Sequence, residues 1–174
     1  MRLGLNFTPP HETPEEWADI LIERGYRAAS FPVNYKAPAH VIDAYVKAAA
    51  ERDIMIAEVG IWNSPHHPDP EQAALAREAC LEQLRLAEYI GAECCVNVSG
   101  AAGPAWYGCY MENYSRRLYQ ENVEFIRDLC DRVKPKNTCY ALESMQWMLP
   151  DSPEQYFQFI KDVDRDGFKV HMDM

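Results

Sequence analysis

The chain contains no cluster of basic residues. Its 174 residues include 27 Asp and Glu against 17 Lys and Arg, which gives a formal net charge of -10. Proteins that bind nucleic acids through the phosphate backbone need grouped Lys and Arg side chains. The composition therefore argues against a nucleic-acid partner.

Long apolar segments are also missing. No apolar run approaches the roughly 20 residues that span a bilayer. Met1 is followed by a short strand-like stretch, not by the basic and then apolar regions of a signal peptide. We therefore expect a cytoplasmic protein with no membrane partner. Because 48% of the residues are hydrophobic and 25% are charged, residues 1–174 are expected to form a single globular domain.

The six cysteines include no C-x-x-C pair. They are spread over predicted helices, strands and one loop, at Cys80, Cys94, Cys95, Cys109, Cys130 and Cys139. This distribution favours buried free thiols over disulfides.

The chain is built from one repeated unit, a strand-like run followed by a helical pattern. Three of the helices are preceded by a capping residue and a proline, at Thr13-Pro14, Asp69-Pro70 and Ser152-Pro153. Such alternation predicts a parallel sheet with helices outside it. Strands are predicted over 2–7, 28–33, 54–61, 93–99, 138–145 and 168–172, and the later helices over 39–52, 71–90, 114–133 and 153–164.

The alternation of polar and apolar residues within the strands distinguishes a barrel from an open sheet. One face of each strand is small or polar, at Gly4, Asn6, Ser30, Glu58, Gly60, Cys95, Asn97, Ser99, Glu143, His171 and Asp173. An open sheet covered on both faces should be apolar on both, whereas a barrel interior becomes polar at its mouth. The sequence therefore predicts an α/β protein of the (β/α)8 TIM-barrel type. Because a complete barrel needs about 250 residues, we expect only about six β-α units, an incomplete C-terminal end and an open edge that favours a homo-oligomer.

In a TIM barrel the functional site lies at the C-terminal ends of the strands. Glu143 and Asp173 end neighbouring predicted strands, where two carboxylates repel each other unless a cation or a shared proton intervenes. A divalent ion with oxygen ligands would resolve this conflict, with Mn, Mg or Co favoured over zinc. Alternatively, Glu143 pairs with Lys169 or His171, and Asp173 caps a chain end. His171 is expected either to bind substrate hydroxyls or to lie in the core, bonded to a backbone carbonyl.

Aromatic and amide side chains also follow the predicted strands. Trp62 and Trp147 follow the third and fifth strands. Indole faces commonly stack on the apolar faces of sugars, although both residues could instead close the barrel mouth. Asn63 and Asn97 are further candidates for substrate binding at strand ends.

Two loops complete the set of candidates. Segment 99–110 contains three glycines and three aromatic residues and predicts a mobile cover over the site. His66 and His67 lie in a proline-rich stretch and are expected on the surface of a loop.

Four segments resemble the xylose isomerase-like barrel family, the sugar phosphate isomerases and epimerases. They are V-G-I-W-N at 59–63, A-L-E-S-M-Q-W at 141–147, P-D-S-P-E-Q-Y at 150–156 and V-H-M-D-M at 170–174. The resemblance implies that Glu143 and Asp173 are metal ligands and that Glu143 also moves a substrate proton. It further implies that a His from a seventh strand and a Glu from an eighth complete the metal site, and the sequence contains neither strand.

The function implied by this resemblance is a metal-dependent isomerase or epimerase of a sugar, sugar phosphate or related polyol. It would abstract a proton next to a carbonyl and form an enediolate. Two alternatives stay open. An abasic-site endonuclease shares the fold and the two acids, but it needs several zinc-binding histidines and a basic DNA face. A non-catalytic, truncated barrel would persist by pairing its open edge with another chain.

Overall fold

In the computed structural model, which describes residues 1–173, six β-strands alternate with five α-helices. The strands pair in parallel and in sequential order, from β1 to β6. This order is that of most of a TIM barrel, and it confirms the predicted α/β fold class. The elements are β1 Gly4–Leu5, α1 Pro14–Glu23, β2 Ala28–Ser30, α2 Ala39–Glu51, β3 Met55–Gly60, α3 Pro70–Ile90, β4 Cys94–Asn97, a 3-10 turn Met111–Tyr114, α4 Arg116–Val133, β5 Tyr140–Glu143, α5 Pro153–Val163 and β6 Phe168–His171.

The three predicted helix starts are confirmed by their hydrogen bonds. Thr13 Oγ1 accepts from the Glu16 N–H at 3.2 Å, and Asp69 Oδ1 accepts from the Glu71 N–H at 2.8 Å. Ser152 caps α5 in the same way. Each cap satisfies an N–H that the first helical turn would leave unpaired. None of the helices within residues 1–173 combines the length and hydrophobicity needed to cross a bilayer.

The main core lies between the sheet and the surrounding helices. Its largest fully buried side chains include Trp17 of α1, Leu84 of α3, Ile126 of α4 and Phe159 of α5. They pack on the side of the strands that carries Tyr140 and its neighbours. The other side of the strands faces the barrel interior and carries the polar residues of the candidate site.

The predicted orientation of β4 is wrong by one residue. Cys95 is in register with Tyr140, and Asn97 is in register with Leu142. Residues that are in register on parallel strands project to the same side of the sheet. Cys95 and Asn97 therefore face the helices, not the barrel interior. Both sides of this strand are buried, so the alternation of residue types says little about the side of the sheet to which each side chain projects.

All six cysteines are free thiols, as predicted, but they are not all buried. Cys80, Cys95 and Cys130 are buried, whereas Cys109 is exposed. Burial raises the pKa of Cys80 to about 11 and that of Cys130 to about 12. The buried thiols therefore behave as small apolar groups and not as nucleophiles.

Candidate active site

A row of four polar side chains crosses the barrel interior. Ser30 Oγ donates a hydrogen bond to Glu58 Oε1 at 2.7 Å. Glu58 Oε2 lies 3.1 Å from His171 Nε2. His171 Nδ1 lies 3.2 Å from Glu143 Oε2, without the alignment of a hydrogen bond. The row joins β2, β3, β6 and β5, so His171 bridges two carboxylates from strands that are not neighbours.

Strand register explains why these residues meet. Ser30 is in register with Glu58, and Glu143 is in register with His171. The closing curvature of the sheet then brings β6 across the interior to β3. The sequence left open whether Glu143 contacts His171 or Lys169, and the structure shows the contact with His171.

The pKa values in the row follow from these contacts. The hydrogen-bonding interaction with Glu58 raises the pKa of His171, and the same interaction lowers the pKa of Glu58. Burial raises the pKa of Glu143, His171 lowers it, and the negative charges of Asp173 and Glu58 raise it further. The row therefore pairs His171 with Glu58, beside a carboxyl group that holds its proton more strongly than usual.

Asp173 follows β6 by two residues and is exposed. Its carboxylate is close enough to Glu143 to raise the pKa of that group through charge and hydrogen bonding. Two carboxyl groups thus meet at the ends of β5 and β6, and such an oxygen pair fits Mg or Mn better than a thiolate-binding metal. Within residues 1–173 no group of three or more His, Cys, Asp or Glu has the geometry of a metal site.

Both candidate tryptophans lie at the barrel mouth in a strained backbone conformation. Trp62 has φ 33° and Trp147 has φ 65°. The two residues are 41% and 47% exposed. A bulky residue with positive φ costs about 1–3 kcal/mol, and such strain often occurs at functional sites. The Trp62 indole lies over Gly60, where an added Cβ would be 2.5 Å from its Nε1.

Asn97 is a structural residue, and its assignment as a substrate-binding residue needs correction. It is fully buried on the helix side of β4. Its amide nitrogen donates to Asn63 Oδ1 and to the Tyr140 hydroxyl, both at 3.1 Å. Its oxygen accepts from the N–H groups of Asn63 and Val98. The side chain has no polar atom left for a substrate.

Asn63 belongs to the same network. Its amide nitrogen donates to the Ala76 carbonyl at 3.1 Å, and its oxygen accepts from Cys80 and Asn97. The side chain therefore ties the segment after β3 to helix α3. Nothing in this arrangement directs it to the barrel mouth.

Comparison with known protein families shows to which family this chain belongs. The profile of the xylose isomerase-like TIM barrel family matches residues 18–174. The chain belongs to that family. No curated protein sequence matches the chain.

Solved structures share the xylose isomerase-like barrel fold at low identity. An L-ribulose 3-epimerase aligns with a TM-score of 0.76 and 16% identity, over 99% of this chain and 60% of its own. A D-psicose 3-epimerase from Clostridium cellulolyticum H10, solved with D-tagatose, aligns with a TM-score of 0.76 and 15% identity, over 99% of this chain and 63% of its own. A xylose isomerase-like TIM barrel protein from Mycobacterium smegmatis, in complex with magnesium, aligns with a TM-score of 0.69 and 17% identity, over 98% of this chain and 63% of its own. These likenesses show the fold alone, and the chain spans 60% to 63% of the length of these proteins.

The sequence predicted neither the role of Gln83 nor the burial of His66. Gln83 is 2% exposed, accepts from the Tyr35 N–H at 3.1 Å and donates to the Gly60 carbonyl at 3.0 Å. It lies among the buried residues of α3, and this helical spacing could have revealed it. The expectation that His66 lies on the surface is wrong, because His66 is buried and its Nε2 lies 2.8 Å from Asn122 Oδ1.

Proposed function

We propose that this protein is a metal-dependent isomerase or epimerase of a sugar, sugar phosphate or related polyol. The observation that carries the proposal is the meeting of Glu143 and Asp173 at neighbouring strand ends, with a raised pKa for Glu143. Structural relatives named as epimerases of L-ribulose and D-psicose support this substrate class.

Glu143 and Asp173 would hold a divalent ion, with Mn, Mg or Co favoured over zinc because both ligands are carboxylates. A family member solved with magnesium supports this class of ion. When bound, such an ion polarises a carbonyl group and stabilises negative charge on neighbouring oxygens. The proton transfers are then the work of the protein side chains.

Glu143 removes the proton from the carbon next to the substrate carbonyl. Burial raises its pKa, which brings its proton affinity closer to that of an effective general base at neutral pH. His171 lies against one oxygen of this carboxyl group, and Glu58 holds His171 from the other side. Donation of a proton to the opposite face of the same carbon by a second acid, which the family resemblance places on an eighth strand, gives an epimer. Return of the proton by Glu143 to the neighbouring carbon gives an isomer.

Trp62 and Trp147 bind the apolar face of the sugar in this proposal. Gly60, which carries the Trp62 indole, lies two residues beyond Glu58 on the same side of β3. The indole therefore lies about two residues further along the strand, roughly 7 Å beyond the polar row. His171 completes the set as a ligand for substrate hydroxyls through Nδ1, which has no hydrogen-bond partner within residues 1–173, whereas its Nε2 is held by Glu58.

The test is exchange of a substrate C–H proton with solvent deuterium. The purified protein is incubated with Mn²⁺ and with L-ribulose, D-fructose or D-tagatose, and deuterium uptake is followed by NMR. We expect Glu143→Gln to slow exchange by at least about 100-fold, the usual contribution of a general base. Glu154→Gln serves as the matched control, because Glu154 is an exposed acid in the first turn of α5. Exchange at the normal rate in Glu143→Gln would refute the role of Glu143.

A further inference from the structure

The loops that follow β4 and β5 form one packed unit at the barrel mouth. Val98, Ala101 and Met148 are buried together, and Trp106, Tyr110 and Met145 pack against them. We call these six residues the mouth cluster. It shares no buried residue with the main core between the sheet and the helices. The two loops therefore hold each other in place.

Tyr110 organises the first of these loops from within. A Cβ atom added at Gly103 or Gly108 would lie 2.1 Å or 2.4 Å from its ring, so the backbone approaches the ring closely at two points. Its hydroxyl accepts from the Ala105 N–H at 3.2 Å. The loop predicted to be a mobile cover is thus folded around one aromatic ring.

Asn113 connects this loop to the next one. It is 2% exposed and lies in the 3-10 turn before α4. Its oxygen accepts from the Ala102 N–H at 2.9 Å. Its amide nitrogen donates to the Gly108 carbonyl at 2.9 Å and to the Trp147 carbonyl at 2.8 Å. One buried amide thus joins three backbone positions on two loops.

The last of these contacts falls on a strained residue. Trp147 has φ 65° and lies four residues after Glu143, which ends β5. A bulky residue keeps a positive φ only when its surroundings enforce it. The hydrogen bond from Asn113 holds the peptide group of Trp147 itself, so it can supply that constraint.

We propose that Asn113 is a positioning residue that fixes the backbone of Trp147 and thereby directs its indole towards the substrate. The substrate part of this inference rests on the proposed function. The structural part concerns the position of one indole and needs no substrate. The two parts are tested separately.

The structural part is tested by acrylamide quenching of Trp147 fluorescence. Trp62 and Trp106 are replaced by Phe, and the remaining Trp17 is 1% exposed and therefore shielded from the quencher. Because Trp147 is 47% exposed, full release in Asn113→Ala would raise its accessible surface, and with it the quenching constant, about twofold. Asn113→Asp provides a second variant, since a carboxylate still accepts from Ala102 but cannot donate to the two carbonyl groups.

Asn122→Ala is the matched control for quenching. Asn122 is a buried amide on α4 that contacts His66, so its loss should lower the melting temperature without changing the quenching of Trp147. Unchanged quenching in a folded Asn113 variant would overturn the proposal.

The substrate part is tested by a double-mutant cycle on the KM for L-ribulose. Asn113→Ala and Trp147→Ala should each raise KM more than they lower kcat, and Asn113→Ala should have no further effect on KM once Trp147 is absent. Additive effects on KM would contradict a role that acts through Trp147. If no sugar is turned over, the proposed function fails, and the quenching result still decides the role of Asn113.

Discussion

Replacing His66 by Gln should make the folded protein less sensitive to acid. Burial lowers the pKa of His66 from the ordinary 6.5 to about 4. Asn122 uses its amide nitrogen to donate to the Leu118 carbonyl, so its oxygen accepts from His66 Nε2–H. His66 Nδ1 is then the unprotonated nitrogen, and it is buried without a hydrogen-bond partner. The charged groups around it are Arg77, Glu121 and Arg117.

The sign and size of the effect follow from these values. Between pH 4 and pH 6.5 the unfolded chain binds a proton at His66 that the folded chain does not bind. The stabilisation is therefore complete above pH 6.5 and is lost as the pH falls towards 4. The full decrease in the free energy of unfolding is about 3 kcal/mol, of which about 2 kcal/mol has occurred at about pH 5. For a protein of this size that corresponds to a melting temperature lower by about 4–8 °C.

Thermal unfolding followed by circular dichroism at about pH 7.5 and about pH 5 provides the measurement. His66→Gln keeps a donor for Asn122 but cannot be protonated in this range, so its melting temperature should fall less than that of the unmodified protein. The quantity to compare is the decrease in melting temperature between the two pH values, in the unmodified protein and in His66→Gln. The difference between these two decreases cancels the contributions of all other groups. Equal falls in the two proteins would refute the reasoning.

Two further predictions concern the barrel mouth. Gly60→Ala would place a Cβ atom 2.5 Å from Trp62 Nε1, so the indole should move and the Trp62 emission spectrum should change; an unchanged spectrum would contradict the packing described. Gln83→Leu would leave the Tyr35 N–H and the Gly60 carbonyl without their buried partner. Because each lost partner costs about 1–3 kcal/mol, the melting temperature should fall by several degrees, and a variant as stable as the original would count against this role.

The order of elements could be predicted from the sequence because each signal is local. Capping residues such as Thr13 and Asp69 act within one helical turn, and the structure reproduces the helix starts that they predict. Glu143 at the end of β5 was also found, because a charged residue is conspicuous in an otherwise apolar run.

The orientation of side chains was less predictable, because it depends on contacts between distant residues. Asn97 seemed to face the interior, and only the register with β5 shows that it faces Cys80 and Tyr140 on the helix side. His66 could not be identified as buried, because its partner Asn122 is 56 residues away. The positive φ of Trp62 likewise has no signature in the sequence.

The mouth cluster has a consequence for the exchange of loops between members of this family. Its contacts join residues 98–113 to residues 145–148, and a single amide spans the two segments. Transplanting one segment alone would leave either Asn113 or the Trp147 carbonyl without its partner. Recombination or engineering of the barrel mouth should therefore move both segments together as one unit, on a barrel whose own core is left untouched.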